Sequence, residues 1–280
     1  MKMKLSSRIY SGIVFCFLFA PIVVLLVFSF NDSKSLAVFS GFSLRWYEEL
    51  LRDRNTLESV KNTLILAASA TAIATVIGTM AAVGINKLRS KWYRAVMNTV
   101  TDIPMTNPDI ITGISLMLLF VAYQRFAGRV EFLPDTIMGL PTLLIAHIAF
   151  TVPYVIFNVT PKLKQLDIKL YEAALDLGCN PKQAFFKVIL PEISPAILSA
   201  FLICLTYSID DFMISYFNCG TVETLPIAIY SMTRKKVSPE IYALSTIMFV
   251  VILSIILISN AMESREYRKD QRALRGGDAV

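Results

Sequence analysis

The sequence predicts an all-α integral membrane protein: one domain over residues 1–280, built on six transmembrane helices. Two observations predict it. Hydrophobic residues make up 55% of the 280 and charged residues only 17%, with mean hydropathy +0.59, whereas an ordinary soluble domain carries about 25% charge. The apolar residues also fall in blocks of about twenty, the length at which a helix rising ~1.5 Å per residue crosses a ~30 Å hydrocarbon core. This pattern excludes a disordered chain and a small disulfide scaffold, and it argues against a soluble enzyme.

The first block runs from Ile9 to Phe30 behind Lys2, Lys4 and Arg8. A cleaved signal peptide needs a shorter apolar stretch and a small-residue cleavage site; here the exit reads Val27-Phe28-Ser29-Phe30-Asn31-Asp32, and Phe15 before Cys16 argues against lipoprotein processing. The block is expected to stay in the membrane. Further spans are expected at about 63–85, 103–123, 139–160, 193–217 and 241–262. The second is rich in Ala, Gly and Ser (Ala67, Ala68, Ser69, Ala70, Ala72, Ala74, Gly78, Ala81, Ala82, Gly84), which lets neighbouring helices approach closely. The third is irregular where Pro104 and Pro108 bracket Asn107, with clean helix expected from Ile110. The fifth carries Pro195, expected in its first turn, where a missing N–H costs little. Phe42 to Leu51 reads as an amphipathic outer segment lying at the interface.

Six spans put both termini on one side. With the termini inside, the inner segments hold 17 of the 27 Lys and Arg, so the positive-inside bias sets both termini in the cytoplasm. The formal charge of +6 therefore reflects membrane orientation, not a nucleic-acid surface. Cys16, Cys179, Cys204 and Cys219 show no Cys-x-x-Cys pair and no nearby histidine, which fits idle or buried thiols better than a metal or redox site. The one histidine, His147, lies inside an apolar block and is expected to be a packed, hydrogen-bonded interior residue.

The inner segment from Pro161 to Pro191 is too long for a simple turn. Leu166, Leu170, Ala173, Ala174 and Leu177 recur at helical spacing, and Gly178 can end that helix in a left-handed conformation. Asn180 then caps a second short helix with Pro181 at its first position and Ala184, Phe185 and Val188 as its apolar face. Physical reasoning alone leaves two readings open: a projecting ridge, or an amphipathic loop lying on the headgroups. Glu172-Ala173-Ala174, Gly178 and Leu190-Pro191, at their spacing here, resemble the EAA loop of importer-type ABC transporter permeases, with Val188 standing where the family pattern has Ile. The resemblance implies a coupling helix that docks in a cleft of an ATPase subunit, with Glu172, Ala173, Ala174, Gly178, Leu190 and Pro191 as the coupling residues.

None of the 11 glycines opens a Gly-x-x-x-x-Gly-Lys-Ser/Thr run, so the chain has no P-loop to cradle phosphates. Nor does any soluble segment hold a nucleophile–base or paired-carboxylate arrangement. Ionisable residues inside spans are costly and usually face a cavity or a partner. Asp109 follows Pro108, where a helix first turn favours an anion for purely structural reasons. Asp210-Asp211 are expected mid-helix, flanked by Tyr207 and Phe212. Since adjacent residues diverge by about 100°, at most one faces a narrow path and the other bonds a neighbouring helix or subunit. Tyr207, Asp210, Asp211 and Ile214 would share one helical face. Carboxylates beside aromatic rings suit an organic polycation.

The stretches Asn31 to Leu50, Pro108-Asp109-Ile110, Asp210-Asp211, Leu225 to Met232 and Val237-Ser238-Pro239-Glu240 resemble spermidine/putrescine permease subunits of the PotC type. The resemblance implies a six-span type I ABC importer permease in a bacterial inner membrane, with Asp109, Tyr207, Asp210 and Asp211 along the substrate path. It also implies four partners: a second permease of the PotB type, a PotA-type ATPase dimer that binds ATP and Mg, a periplasmic PotD-type binding protein, and a polyamine as substrate. No cofactor is expected in this chain. Arg234-Lys235-Lys236 in the outer loop depart from that pattern and leave the preferred polyamine open. A permease for another small solute remains an alternative. An ion-coupled secondary carrier would also use intramembrane acids, but it would not need the EAA spacing and usually shows internal repeats.

Overall fold

A computed structural model of the chain describes residues 5–33, 38–127, 138–235 and 239–277. Val237 and Ser238 of the outer-loop stretch, and Lys236 beside them, fall outside those residues. The described chain is helical, with α1 (Leu5–Phe28), α2 (Arg45–Arg52), α3 (Arg54–Lys87), α4 (Lys91–Thr106), α5 (Asp109–Ala127), α6 (Leu140–Gln165), α7 (Ile168–Asp176), α8 (Pro181–Ala184), a π-helical turn (Phe185–Ile189), α9 (Leu190–Asp210), α10 (Met213–Asn218), α11 (Leu225–Lys235) and α12 (Glu240–Gly277). Six of its helices are long and apolar enough to cross a membrane.

The centre of the bundle is the junction of α3, α6 and α9. Lipid tails are as apolar as leucine, so helices associate in a bilayer by close packing, not by the hydrophobic effect. The sequence provides that packing. Ala67, Ala70, Ala74 and Ala82 of α3 are fully buried, and a Cβ on Gly78 would lie 2.6 Å from the Val155 Cβ of α6. Val155, Val159, Leu163, Ile193, Ala200 and Cys204 complete this core. At 34 residues, α3 is roughly 50 Å long and extends past the hydrocarbon. Its N-terminal end is capped by Asp53, whose carboxylate accepts from the amides of Asn55 and Thr56 at 3.2 and 3.3 Å and from the Thr56 hydroxyl. Those bonds, the hydroxyl's first, hold the Asp53 carboxyl below the usual range.

The irregular start expected of the third block is a break between two helices, with clean helix beyond it: α4, which carries Pro104 inside it, ends at Thr106, Asn107-Pro108 break the chain, and the membrane-length segment is Asp109–Phe126 in place of 103–123. Two other expectations are corrected. Pro195 lies inside α9, and Pro191 occupies its first turn. The N–H that Pro195 lacks would have served the Pro191 carbonyl; the Ser194 hydroxyl donates to that oxygen instead, at 2.8 Å. The outer segment around Phe42 to Leu51 is not an interfacial helix as a whole. Trp46 and Leu50 of α2 are buried against Leu225, Ala243 and Leu244, and the Trp46 indole N–H donates to the Asn31 carbonyl at 2.6 Å. Phe42 and Leu51 do remain exposed.

Candidate functional site

Two groups of the residues singled out in the sequence stand at opposite ends of one helical rod, the continuous 30-residue segment Pro181–Asp210, about 45 Å long.

Before the N-terminal end of the rod, α7 starts on Asp167, whose carboxylate accepts from the Lys169 amide at 3.0 Å. It ends in a Schellman turn: the Cys179 amide reaches the Ala174 carbonyl at 3.1 Å and the Gly178 amide reaches Leu175 at 2.9 Å, with Gly178 at φ +86°. A Cβ there would touch nothing within 4 Å, so glycine is required by the backbone and not by crowding. Asn180 and Gln183 exchange side-chain-to-amide bonds at 2.9 and 3.0 Å, a capping box for α8. The rod then passes through the π turn, in which the Leu190 amide donates to Phe185 five residues back. π turns of this kind recur at functional sites. The expected apolar face of α7 divides. Ala174 is buried, Leu166 ends α6 instead, and Leu170 and Leu177 are exposed, the latter by 87%. With Phe186 also exposed and Glu172 and Ala173 on the surface, this element is a ridge with apolar and acidic groups outward.

At the other end the structure corrects the reading of Asp210-Asp211 as mid-helix. α9 stops at Asp210, and Asp211 is extended at φ −64°, ψ 120°. Its carboxylate accepts from the Ile214 and Ser215 amides at 3.2 and 2.7 Å, so Asp211 caps α10. Tyr207, Asp210, Asp211 and Ile214 therefore do not share a helical face, and Ile214 is buried. His147 of α6 holds both sides of the break: its Nδ1 lies 2.7 Å from the Ser208 hydroxyl and its Nε2 2.9 Å from that of Ser215, with the Asp211 carboxylate 3.6 Å away. The ring is fully buried, as a packed interior histidine should be. The Asn218 side-chain amide donates to the Gly113 carbonyl at 3.2 Å and its backbone carbonyl accepts from the Thr142 hydroxyl at 2.8 Å, tying α10 to α5 and α6.

Asp210 instead faces outward from the bundle, with Tyr207 41% exposed one turn earlier. The Tyr207 ring meets that of Tyr154 edge-on at 4.8 Å. Asp109, first residue of α5, is exposed, and its charge is felt at Tyr154 and, more weakly than that of Asp211, at Asp210. Asp109, Tyr154, Tyr207 and Asp210 are thus neighbours, whereas the Asp211 carboxylate is taken up by the amides of α10. A second ring cluster lies beyond the break, where Tyr230 of α11 packs on Phe212 at 4.7 Å and on Tyr216 at 6.1 Å, with the Arg234 guanidinium 5.9 Å from the Tyr230 ring. Sequence reasoning missed Tyr154 and Tyr230. The one available signal for Tyr154 was a phenol in the middle of an apolar block.

A family model described as "Binding-protein-dependent transport system inner membrane component" matches residues 74–266. The putrescine transport system permease protein PotI of Escherichia coli K12 is 40% identical, over 94% of this chain and 93% of that protein. The spermidine/putrescine permease protein PotC of the same strain is 34% identical, over 88% and 89%. Among solved structures, a chain of the bacterial alginate ABC transporter, in complex with a periplasmic protein bound to an alginate pentasaccharide, aligns with a TM-score of 0.73 at 19% identity, over 93% and 94% of the two chains. A chain of the inward-facing MetNI methionine ABC transporter aligns at 0.57 and 20%, over 79% and 97%.

Proposed function

Because the chain belongs to the family of binding-protein-dependent transport system inner membrane components, we propose that it forms half of the translocation path of an ATP-driven polyamine importer. It is a multi-pass membrane protein and a permease subunit, not an enzyme; ATP is hydrolysed by a separate subunit. The fold is shared with alginate and methionine transporters, so side chains and not architecture must select the cargo. The observation that carries the polyamine reading is the group Asp109, Tyr154, Tyr207 and Asp210. Two carboxylates offer ion pairs to an ammonium and two phenol faces offer cation–π contact. The higher identity to a putrescine permease favours a diamine as the preferred cargo.

The remaining assignments follow from this reading. The ridge of Glu172, Ala173, Leu177 and Phe186 docks in a cleft of a PotA-type ATPase, with Ala174, Gly178, Leu190 and Pro191 fixing its shape. Closure of the ATPase dimer moves the rod Pro181–Asp210 as a unit and so shifts Asp210 against a PotB-type partner permease. A PotD-type periplasmic protein delivers the substrate. The membrane is the bacterial inner membrane, with both termini in the cytoplasm. Uptake of radiolabelled putrescine and spermidine by the reconstituted complex, with ATP supplied on the ATPase side, tests the reading; ATP-dependent uptake of neither would overturn it. Orientation is tested with an impermeant thiol reagent. Cys179 should react only after permeabilisation. Cys219 should react slowly from outside, because burial raises its thiol pKa. Ser238→Cys lies outside the described residues and serves as an independent outer probe.

A further inference from the structure

A cleft of about 480 Å³ lies between the C-terminal ends of α3 and α6, the start of α7 and the π turn. That is the size of a small-ligand site, which is typically apolar with a few placed polar groups. Val83, Leu163, Leu166 and Ile189 line it. Leu163 belongs to the bundle core and the other three pack against that core, so the apolar wall is continuous with it. Phe185 brings the π turn into the lining.

The polar part of the lining is basic. Lys87 stands in the last turn of α3 and Lys164 in the last turn of α6. Among the described residues neither reaches a carboxylate within ion-pair distance. Attraction to a helix C-terminus accounts for a lysine at each end; it does not account for both bordering one apolar cavity. The acid in the lining, Asp167, is engaged as the cap of α7, where it accepts from the Lys169 amide. Asn86 and Tyr171 add a carboxamide and a phenol, both able to donate. Cations and donors beside an apolar wall match an anion with a hydrocarbon tail. The level in the membrane fits that ligand too. Trp92 and Tyr93, at the start of α4 just beyond Lys87, are exposed and meet edge-on at 5.0 Å, and such rings concentrate at the depth of the lipid headgroups. Basic pockets between membrane helices are where anionic headgroups bind.

We propose that this cleft holds one anionic phospholipid, its phosphate between Lys87 and Lys164 and an acyl chain against Val83, Leu163, Leu166 and Ile189. The lipid fills the space beside the π turn and ties the start of α7 to the bundle. The proposal needs the membrane assignment and not the identity of the cargo. The assembled complex is placed in nanodiscs of phosphatidylcholine doped with phosphatidylglycerol that carries a diazirine in its acyl chain, and labelled peptides are mapped by mass spectrometry. Label should appear on the segments holding Val83, Leu163 or Ile189, and phosphatidylcholine with the same diazirine chain should label them several-fold less. Lys87→Gln with Lys164→Gln should abolish that preference. Lys169→Gln with Lys182→Gln removes the same charge from exposed positions outside the lining and should preserve it. Inorganic phosphate at millimolar concentration should not compete; competition would mean that the headgroup anion alone is recognised, and the lipid assignment would fall. Equal labelling by the two lipids, a preference that survives the Lys87 and Lys164 substitutions, or no label on these segments, as when the ATPase fills the cleft, overturns the proposal as well.

Discussion

Two interruptions of the helical backbone bracket the rod Pro181–Asp210, and they are built in opposite ways. The one at Gly178 is local. A positive φ, two Schellman bonds and a capping box, all within ten residues, complete it, and no atom from elsewhere comes within 4 Å of the position a Cβ would take. The one at Asp211 involves no glycine or proline and an ordinary φ of −64°. It exists because His147 on α6 grips Ser208 before it and Ser215 after it, while the Asp211 carboxylate serves the amides of α10. A local interruption can project from the bundle and present a fixed shape to another protein. A tertiary one depends on the packed bundle around it and can move with that bundle.

The largest effect is therefore expected from removing the histidine. Polar pairs between membrane helices average ~0.6 kcal/mol and reach ~1.7. His147→Leu loses two such bonds and leaves the hydroxyls of Ser208 and Ser215 short of a partner, about 2–3 kcal/mol in all. The thermal midpoint and yield of the purified complex should both fall. An unchanged midpoint would mean that something other than His147 holds the break, and the contrast with Gly178 would fail.

Next come the adjacent acids, of which Asp211 caps α10 and Asp210 is exposed. Asp211→Asn keeps the shape but leaves one of the two amides of α10 facing an NH₂ group that cannot accept, a loss of about 1 kcal/mol, so assembly should drop and uptake per assembled complex should not. Asp210→Asn should assemble normally and raise the apparent KM for putrescine about tenfold, the equivalent of ~1.4 kcal/mol. Matching behaviour of the two variants would erase the distinction between a capping carboxylate and one facing the path.

This division also marks what could be read in advance. Gly178, Asn180 and Pro181 act over spacings of a few residues, so, although the reply of Gln183 to Asn180 and the π turn after it were not read, the helix end and the following cap were legible in the sequence. The break at Pro108 was equally plain. Asp211 was read as mid-helix because apolar residues continue through Phe212 and Ile214 with no punctuating glycine or proline, and the partner that favours the break lies 61 residues before Ser208. The burial of Trp46 depends likewise on Leu225 and Leu244, far along the chain. Periodicity records which face is apolar; it does not record whether lipid or protein covers that face.

A smaller effect is expected at Gly178 itself. With open space around the missing Cβ, Gly178→Ala costs only the left-handed backbone strain, about 1 kcal/mol, and the midpoint of the complex should stay close to wild type. Putrescine uptake and its coupling to ATP hydrolysis should still fall several-fold, because the turn sets the angle between α7 and the rod. Gly178→Val, with a β-branched side chain, should lower both further. Normal coupling in both variants, with the ATPase co-purifying at wild-type yield, would remove this turn from the mechanism.

The smallest effect is expected at Glu172. The carboxylate is exposed and has no ion pair among the described residues, so Glu172→Ala should leave the midpoint of the complex unchanged. Its influence can appear only across the joint with the ATPase, where an exposed charge contributes no more than about 1 kcal/mol and is screened within about 8 Å at physiological salt. Uptake should fall by at most about fivefold, and the gap from wild type should narrow as ionic strength rises. If the ridge works by backbone shape, as the Gly178 turn implies, substitution of its charge is tolerated and substitution of its hinge is not. Complete loss of uptake in an assembled Glu172→Ala complex, insensitive to salt, would reverse that order: the carboxylate would be buried in the ATPase cleft, and charge would carry the coupling in place of shape.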